Sequence, residues 1–578
     1  MGVPAGEVND KVDFSEKYIN WYLYHAITAD DVKKGRVRAS QVGEGFDMSK
    51  KEASDKSAAY NMGGEYIHYS DFFQAGFGPV DEMTEINGEY PYFYGGKNAK
   101  GNRVGISGSY DWTLPLNSEY RNAPSSAFLK NSRVLPSPAS KDSDGKYSFN
   151  QDGVDSIKSE LSQGRAIALA FYSSGNVWNY DNWTAYSFKD NTADHAVTVI
   201  GYDDTYSKDN FTLKNNSGTP IKRTTPPGDG AFIVKNSWGA NPETESEKTF
   251  KHGDVTYQRA GSSSWGIDGS GYFYLSYYDR SLTSAMSFEF DSAASVRYAE
   301  HNIDQYDLMM TGFYGTADSA DTIKTANIFE AEEDSYIYRI SYRTAHPDTT
   351  VRYAVYRGVS GGDPESGAIL DTGTLSHEYS GSYTVDLGGE YLIREGEKYS
   401  VVLTMDYTDG DGNKKYYEVF PYASSISGAP VNGIINKGES CLLTDGVWKD
   451  LSELKDRHTD RAFELLGEYV ATEKTMTELD SKNKSSVAVD NFPIKAFLVP
   501  AALHEDGLVI GDVDGNGTIN IDDATTVQKI TAKLISPDER QKKAADVNAD
   551  NKIDINDATM IQKYVAKLID GFQITAGS

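Results

Sequence analysis

Two stretches near the C-terminus, 34 residues apart, repeat one spacing of oxygen-bearing side chains, and nothing else in this 578-residue chain constrains a fold so tightly. The first holds Asp512, Asp514, Asn516, Thr518, Asn520 and Asp523; the second holds Asp546, Asn548, Asp550, Lys552, Asp554 and Asp557. Oxygen side chains fall at loop positions 1, 3, 5, 9 and 12, while position 7 (Thr518 or Lys552) offers its main-chain carbonyl. A loop of this length with that spacing wraps a hard cation in oxygen. Position 6 must turn sharply and holds Gly517 or Asn551, the two residue types that best tolerate a left-handed backbone. Each loop runs into a segment of helical period, with Val527, Ile530 and Leu534 on one face and Ile561, Tyr564, Val565 and Leu568 on the other. Two calcium ions, one per loop, are expected, with folding coupled to the metal because the carboxylates repel until it arrives.

The paired loop–helix units, residues 505–578, resemble a dockerin, the module that anchors enzymes to cohesin domains of a scaffoldin in a cellulosome. The resemblance implies a cohesin partner, and positions 10 and 11 of each loop, here Ile521, Asp522, Ile555 and Asn556, as residues that choose it. It also implies an exported, extracellular or cell-surface protein, although Met1 to Glu7 carries neither a basic nor an apolar signal region.

Composition narrows the rest. With 56 Lys+Arg against 85 Asp+Glu the net charge is −29, which argues against nucleic-acid partners and anionic membrane surfaces. No apolar run is long enough to span a bilayer. The 40 Tyr and 23 Phe supply several cores, and the length suggests about three to four domains. The single cysteine, Cys441, excludes an internal disulfide and any Cys-based zinc finger.

Chemistry-bearing residues lie upstream. His195 heads an apolar run that ends in Gly201-Tyr202, and about forty residues later a strand-like Ala231 to Lys235 leads into Asn236-Ser237-Trp238-Gly239. A further Trp265-Gly266 precedes Gly271-Tyr272. An imidazole that activates a thiol must be held in one tautomer, and an amide oxygen does this without adding charge. This order of motifs resembles the papain family of cysteine peptidases. The resemblance implies His195 as general base and acid, Asn236 as its orienting group and Trp238 as the indole that shields their contact. Ser15-Glu16 resembles the start of the helix that follows the family's nucleophile helix, and Asn61-Met62-Gly63-Gly64 resembles the segment whose backbone lines the substrate cleft, so Gly63 and Gly64 are cleft candidates. From about residue 310, short β-rich runs separated by Gly, Asp and Ser clusters read as an antiparallel sandwich. Together with Gln305-Tyr306-Asp307 they resemble the bacterial papain-like subgroup that carries a lectin-like domain.

The expected organisation is multidomain α+β: a papain-like domain over 1–305, a lectin-like β-sandwich over 306–470, a linker with room for one strand over 471–504, and a small α-helical dockerin over 505–578. The family's order is Cys, His, Asn, and the resemblance places the nucleophile ahead of Met1, so this chain is expected to lack it and to be inactive alone. Cys441 lies far after His195 within the expected sandwich and reads as a buried apolar residue. The expected function is a secreted, cohesin-anchored cysteine endopeptidase acting on proteins or peptides. The alternative is an inactive pseudo-peptidase that holds a peptide or a glycan.

Overall fold

The computed structural model describes residues 14–32, 37–55, 58–80, 96–98, 103–104, 121–141 (without 122 and 124), 146–237, 249–252, 255–258, 265–292, 302–308, 314–319, 322–424, 429–455 (without 430 and 445), 487–501, 510–514, 519–537, 539–569 (without 549 and 551) and 572. An α+β unit, an antiparallel β-sandwich and a small helical unit follow one another along the chain, which is the fold class expected.

In the first unit, Ser15 caps the helix Glu16–Leu23, its Oγ accepting from the Tyr18 amide at 3.1 Å. Helical spacing then sets Tyr18, Trp21 and Tyr22 on one face, buried with Phe46, Phe72 and Phe77. A second core forms on a sheet face where alternate residues point inward: Ile167, Leu169 and Phe171 from one strand, Val197 and Val199 from the next, then Phe232, Val234, Phe273 and Leu275. The helix Gln151–Ser162 closes that core with Val154 and Ile157.

These strands belong to a twelve-stranded sheet that crosses from the first unit into the sandwich. Its sandwich half is Asn302–Asp304, Ile494–Pro500, Ser335–Thr344 and Ser380–Ile393. The join is an antiparallel pairing of Ser380–Ile393 with Ala127–Val134, in register Ser380↔Val134 to Tyr383↔Asn131. From there Thr283–Ser292, Ile167–Phe171, His195–Asp203, Ala231–Lys235 and Tyr272–Ser276 continue the sheet. A nine-stranded sheet forms the other layer, and Ile340, Tyr342, Ile494 and Leu498 from one layer meet Val351, Val401, Leu403 and Tyr417 from the other. Cys441 is buried on Ser440–Thr444, and burial pushes its thiol up to about 12.

The one strand for which the 471–504 segment had room is present as Ile494–Pro500, but it is core rather than connection, buried along its whole length between Asn302–Asp304 and Ser335–Thr344. A strand covered on both faces has no polar alternation to announce it, and a polar stretch precedes it in the sequence.

The seam between the two units is polar and closed to water. Ser70 Oγ lies 2.7 Å from Ser132 Oγ and 3.2 Å from Ser382 Oγ, and Arg343 pairs with Asp71. Glu44 accepts from the Leu308 amide at 2.7 Å and from Gln41 Nε2 at 3.0 Å, and Lys495 Nζ pairs with Asp307 at 2.9 Å. Burial and the neighbouring Asp490 push the Glu44 carboxyl well up, burial does the same to Asp490, and burial lifts Asp307 to about 6 against the pull of Lys495. A carboxyl whose native pKa is raised contributes stability that is present below its unfolded pKa and lost as pH rises through the native one. For Asp307 that window runs from about 4 to about 6. The urea midpoint of the chain should therefore fall between about pH 4 and about pH 7. Glu44→Gln, which removes a buried charge but keeps an acceptor for Leu308, should flatten that fall and raise the midpoint at neutral pH. A variant with the wild-type slope would count against Glu44 as a source of it.

Candidate active site and acidic loops

His195 opens the strand His195–Asp203, opposite Phe171 of Ile167–Phe171, and Asn236 follows the last residue of Ala231–Lys235. The two central strands pair antiparallel, Thr198 against Lys235, so the start of one lies beside the end of the other. This brings His195 Nε2 to 2.9 Å from Asn236 Oδ1. The Ser237 amide donates to the same oxygen at 2.7 Å, which assigns that atom as the acceptor. A carbonyl oxygen only accepts, so Nε2 carries the hydrogen and Nδ1 is the basic nitrogen. Asn236 is buried, His195 half-buried, and the Phe171 ring stands 5.9 Å from the imidazole.

Asp194 is a neighbour that sequence reasoning passed over. Its carboxylate accepts from the Ser173 amide and from Ser174 Oγ, both at 2.6 Å. Burial pushes this carboxyl up, but those hydrogen bonds and the adjacent His195 outweigh it and hold it below the usual range. An acidic residue directly preceding the motif histidine was the available signal. Trp238 lies outside the described residues.

Gly63 and Gly64 form an exposed shelf ahead of the helix Tyr66–Gln74. Tyr66 Oη donates to the Leu169 carbonyl at 2.8 Å, tying that helix to the strand beside His195–Asp203. The two glycines differ physically. Gly63 has φ +75° and open space where a Cβ would stand, whereas a Cβ on Gly64 would lie 2.5 Å from the Tyr24 hydroxyl, which itself donates to the Gly63 carbonyl. Gly63→Ala should cost only the left-handed backbone, about 1 kcal/mol, whereas Gly64→Ala should cost about 1–3 kcal/mol more by displacing Tyr24. Urea unfolding of both variants checks this; equal costs would contradict the packing.

In the C-terminal unit the helices Ile521–Thr531 and Ile555–Val565 start with matching caps, Asn520 with Asp523 and Asp554 with Asp557. Asp523 Oδ1 accepts from the Val513 amide and Asp557 Oδ1 from the Val547 amide. Ligand atoms of Asp512, Asp514 and Asp523 all lie within 4.8 Å of one another. In the second loop, burial first and then Asp546 and Asp554 push the Asp557 carboxyl up. Asp550 accepts from Lys552 through its carboxylate and donates its own amide to Asp546 and Asn548. Clustered oxygen donors that repel one another suit a hard divalent cation. Asn516 and Thr518 lie outside the described residues. Ile521 and Ile555 are 52 % and 55 % exposed, with Asp522 and Asn556 exposed beside them. Leu534 and Leu568 do not join the helix faces as expected. Lys533 and Lys567 take φ +56° and +57° and end the helical turn, leaving both leucines 74 % exposed.

An α+β unit with an imidazole–amide pair, fused through its sheet to a sandwich and followed by paired acidic loops, defines a modular protein. Residues 303–460 match the lectin like domain family, and residues 510–566 match the dockerin type I domain family. The chain thus carries a lectin-like domain and a type I dockerin. No curated protein matches it. Among solved structures it is similar to the clostridial cysteine protease Cwp84 after propeptide cleavage, at 18 % identity over 85 % of this chain and 89 % of that one, TM-score 0.48. The cysteine protease and lectin-like domains of Cwp84, a surface layer associated protein of Clostridium difficile, match at 18 % identity over 85 % and 79 %, TM-score 0.47. A complex of the third cohesin ScaC with the ScaB dockerin of Acetivibrio cellulolyticus matches at 35 % identity over 12 % of this chain and 94 % of that one, TM-score 0.11.

Proposed function

We propose that the first unit is a papain-like cysteine-peptidase scaffold acting on protein or peptide substrates, and that the C-terminal unit anchors it, outside the cell, to a cohesin. The observation that carries the reading is the 2.9 Å contact of His195 Nε2 with Asn236 Oδ1, an oxygen also held by the Ser237 amide. In this arrangement His195 Nδ1 takes the proton of an attacking thiol and later returns it to the leaving amine, while Asn236 keeps the ring in one tautomer throughout. Extended substrate backbone lies on the Gly63–Gly64 shelf. The nucleophile is not among residues 1–578, whose one thiol is the buried Cys441, so this chain by itself should not turn over substrate. That same burial favours a second reading, an inactive pseudo-peptidase that holds a peptide or glycan.

Labelling with a peptidyl epoxide separates the two. Complemented with a peptide that supplies a thiol-bearing helix of the papain-like type, the chain should label at that thiol, and His195→Ala should slow labelling by about 100-fold or more. The 578-residue chain alone should not react. Labelling that ignores His195→Ala, or that lands on Cys441, would exclude the catalytic pair.

For the anchor, Asp512, Asp514, Asn520 and Asp523, with Asn516 and Thr518, would hold one calcium ion; Asp546, Asn548, Asp550, Lys552, Asp554 and Asp557 would hold the second. The cation supplies the positive charge that lets these carboxylates pack. Ile521, Asp522, Ile555 and Asn556 would meet the cohesin. In calorimetry of the full chain, one transition should rise with calcium concentration, by about 2.7 kcal/mol at a hundredfold excess over Kd, and the double variant Asp523→Ala/Asp557→Ala should abolish the rise. A calcium-insensitive trace would refute the cation cages.

A further inference from the structure

The imidazole stands at one end of a run of rings that the proposed proton transfers do not use. From His195 the run passes to Phe171 at 5.9 Å and from Phe171 to Trp178 at 5.9 Å. Trp178 meets Trp265 edge-on at 5.4 Å and Tyr180 nearly parallel at 6.0 Å. Trp183 closes the group, 5.6 Å from Tyr180 and 5.0 Å from Trp265. Trp178 is buried and Trp183 and Trp265 are half-buried, but Tyr180 is 59 % exposed. A bare aromatic ring backed by three indoles is an unfavourable surface unless something covers it.

The turn that carries these rings is built rather than loose. Trp178 Nε1 donates to the Ser173 carbonyl at 2.6 Å, and Asn179 and Asn182 both donate through Nδ2 to the Asn210 carbonyl, at 2.8 and 3.0 Å. The Trp183 carbonyl accepts from the Tyr274 amide at 2.9 Å. Trp183 has φ +50°, a backbone conformation that a bulky residue adopts only where its surroundings impose it. Ser173, which anchors Trp178, also donates its amide to Asp194, so the ring cluster and the residue before His195 share one support.

We propose that Tyr180, backed by Trp178 and Trp183 and joined to His195 through Phe171 and Trp178, is a substrate subsite for an aromatic side chain of a bound peptide. This deepens the peptidase reading and rests on it. The chemistry favours an aromatic ring over a sugar. Recognition of a sugar is led by hydrogen-bonding groups around the ring face, and the Asn179 Nδ2 hydrogens and the Trp178 indole N–H are already turned to main-chain carbonyls. The exposed face of Tyr180, stacked on Trp178, pairs best with another ring.

The test titrates the full chain, followed by tryptophan fluorescence, with an all-alanine capped pentapeptide, the same peptide with a central phenylalanine, and cellohexaose. The phenylalanine peptide should bind more tightly than the alanine one, and Tyr180→Ala should erase that gain, about 2- to 12-fold. Tyr180→Phe should restore it. Because Tyr180 is exposed, both variants should keep the wild-type circular dichroism. Equal affinity for the two peptides, an undiminished gain in Tyr180→Ala, or tighter binding of cellohexaose would overturn the subsite. If the alanine peptide binds and is weakened by Gly64→Ala while phenylalanine adds nothing, the subsite falls and the peptidase cleft stands. If neither peptide binds, both fall.

Discussion

The antiparallel pairing of Ser380–Ile393 with Ala127–Val134 is the contact on which the geometry of the larger part of the molecule depends. Through it the main-chain groups of one unit are satisfied by the other, a stronger constraint than two apolar surfaces in contact. Three further pairings, through Thr283–Ser292 and Ile167–Phe171, carry the same sheet to His195–Asp203. The position of the imidazole is therefore set by backbone hydrogen bonds that begin in the sandwich. The helix Tyr66–Gln74 is tied to both sides, by Ser70 at the join and by Tyr66 near the site.

Around this join the protein accepts an electrostatic cost. Carboxylates at Glu44, Asp307 and Asp490 are withdrawn from water and share one cation, Lys495, within reach of all three. Buried ionic groups seldom add net stability, but removing the cation, Lys495, would leave the acidic groups uncompensated at a cost of about 3–5 kcal/mol. Such a seam tolerates one relative placement of its two sides, which complements what the backbone pairing does geometrically.

The features legible from the sequence are those whose chemistry is local. His195 heads one strand and Asn236 directly follows the strand that pairs with it, and the acidic loops repeat, so type and spacing mark them out. Three kinds of feature resisted. Ile494–Pro500 is covered on both faces and has no alternation to mark it as sheet. Leu534 and Leu568 keep helical spacing one turn beyond the helices because Lys533 and Lys567 turn left-handed, and nothing in a lysine announces that. Glu44 and Asp490 sit in an acidic chain in which a carboxylate reads as surface; only tertiary packing reveals them as buried. Tyr180 is likewise one tyrosine among 40 until Trp178 and Trp183 of its own turn, with Trp265 from a distant stretch packed against both, stand behind it.

The burial of Cys441 has a use beyond what it says about catalysis. With its thiol pushed up to about 12 and its side chain enclosed, the scaffold offers almost no background to maleimides, spin labels or mercury at neutral pH. A single cysteine placed on either side of the sheet join, or on the acidic-loop unit, would be the sole reactive position. Distances between the acidic-loop unit and the rest of the molecule could then be measured pair by pair without first engineering the native cysteine away.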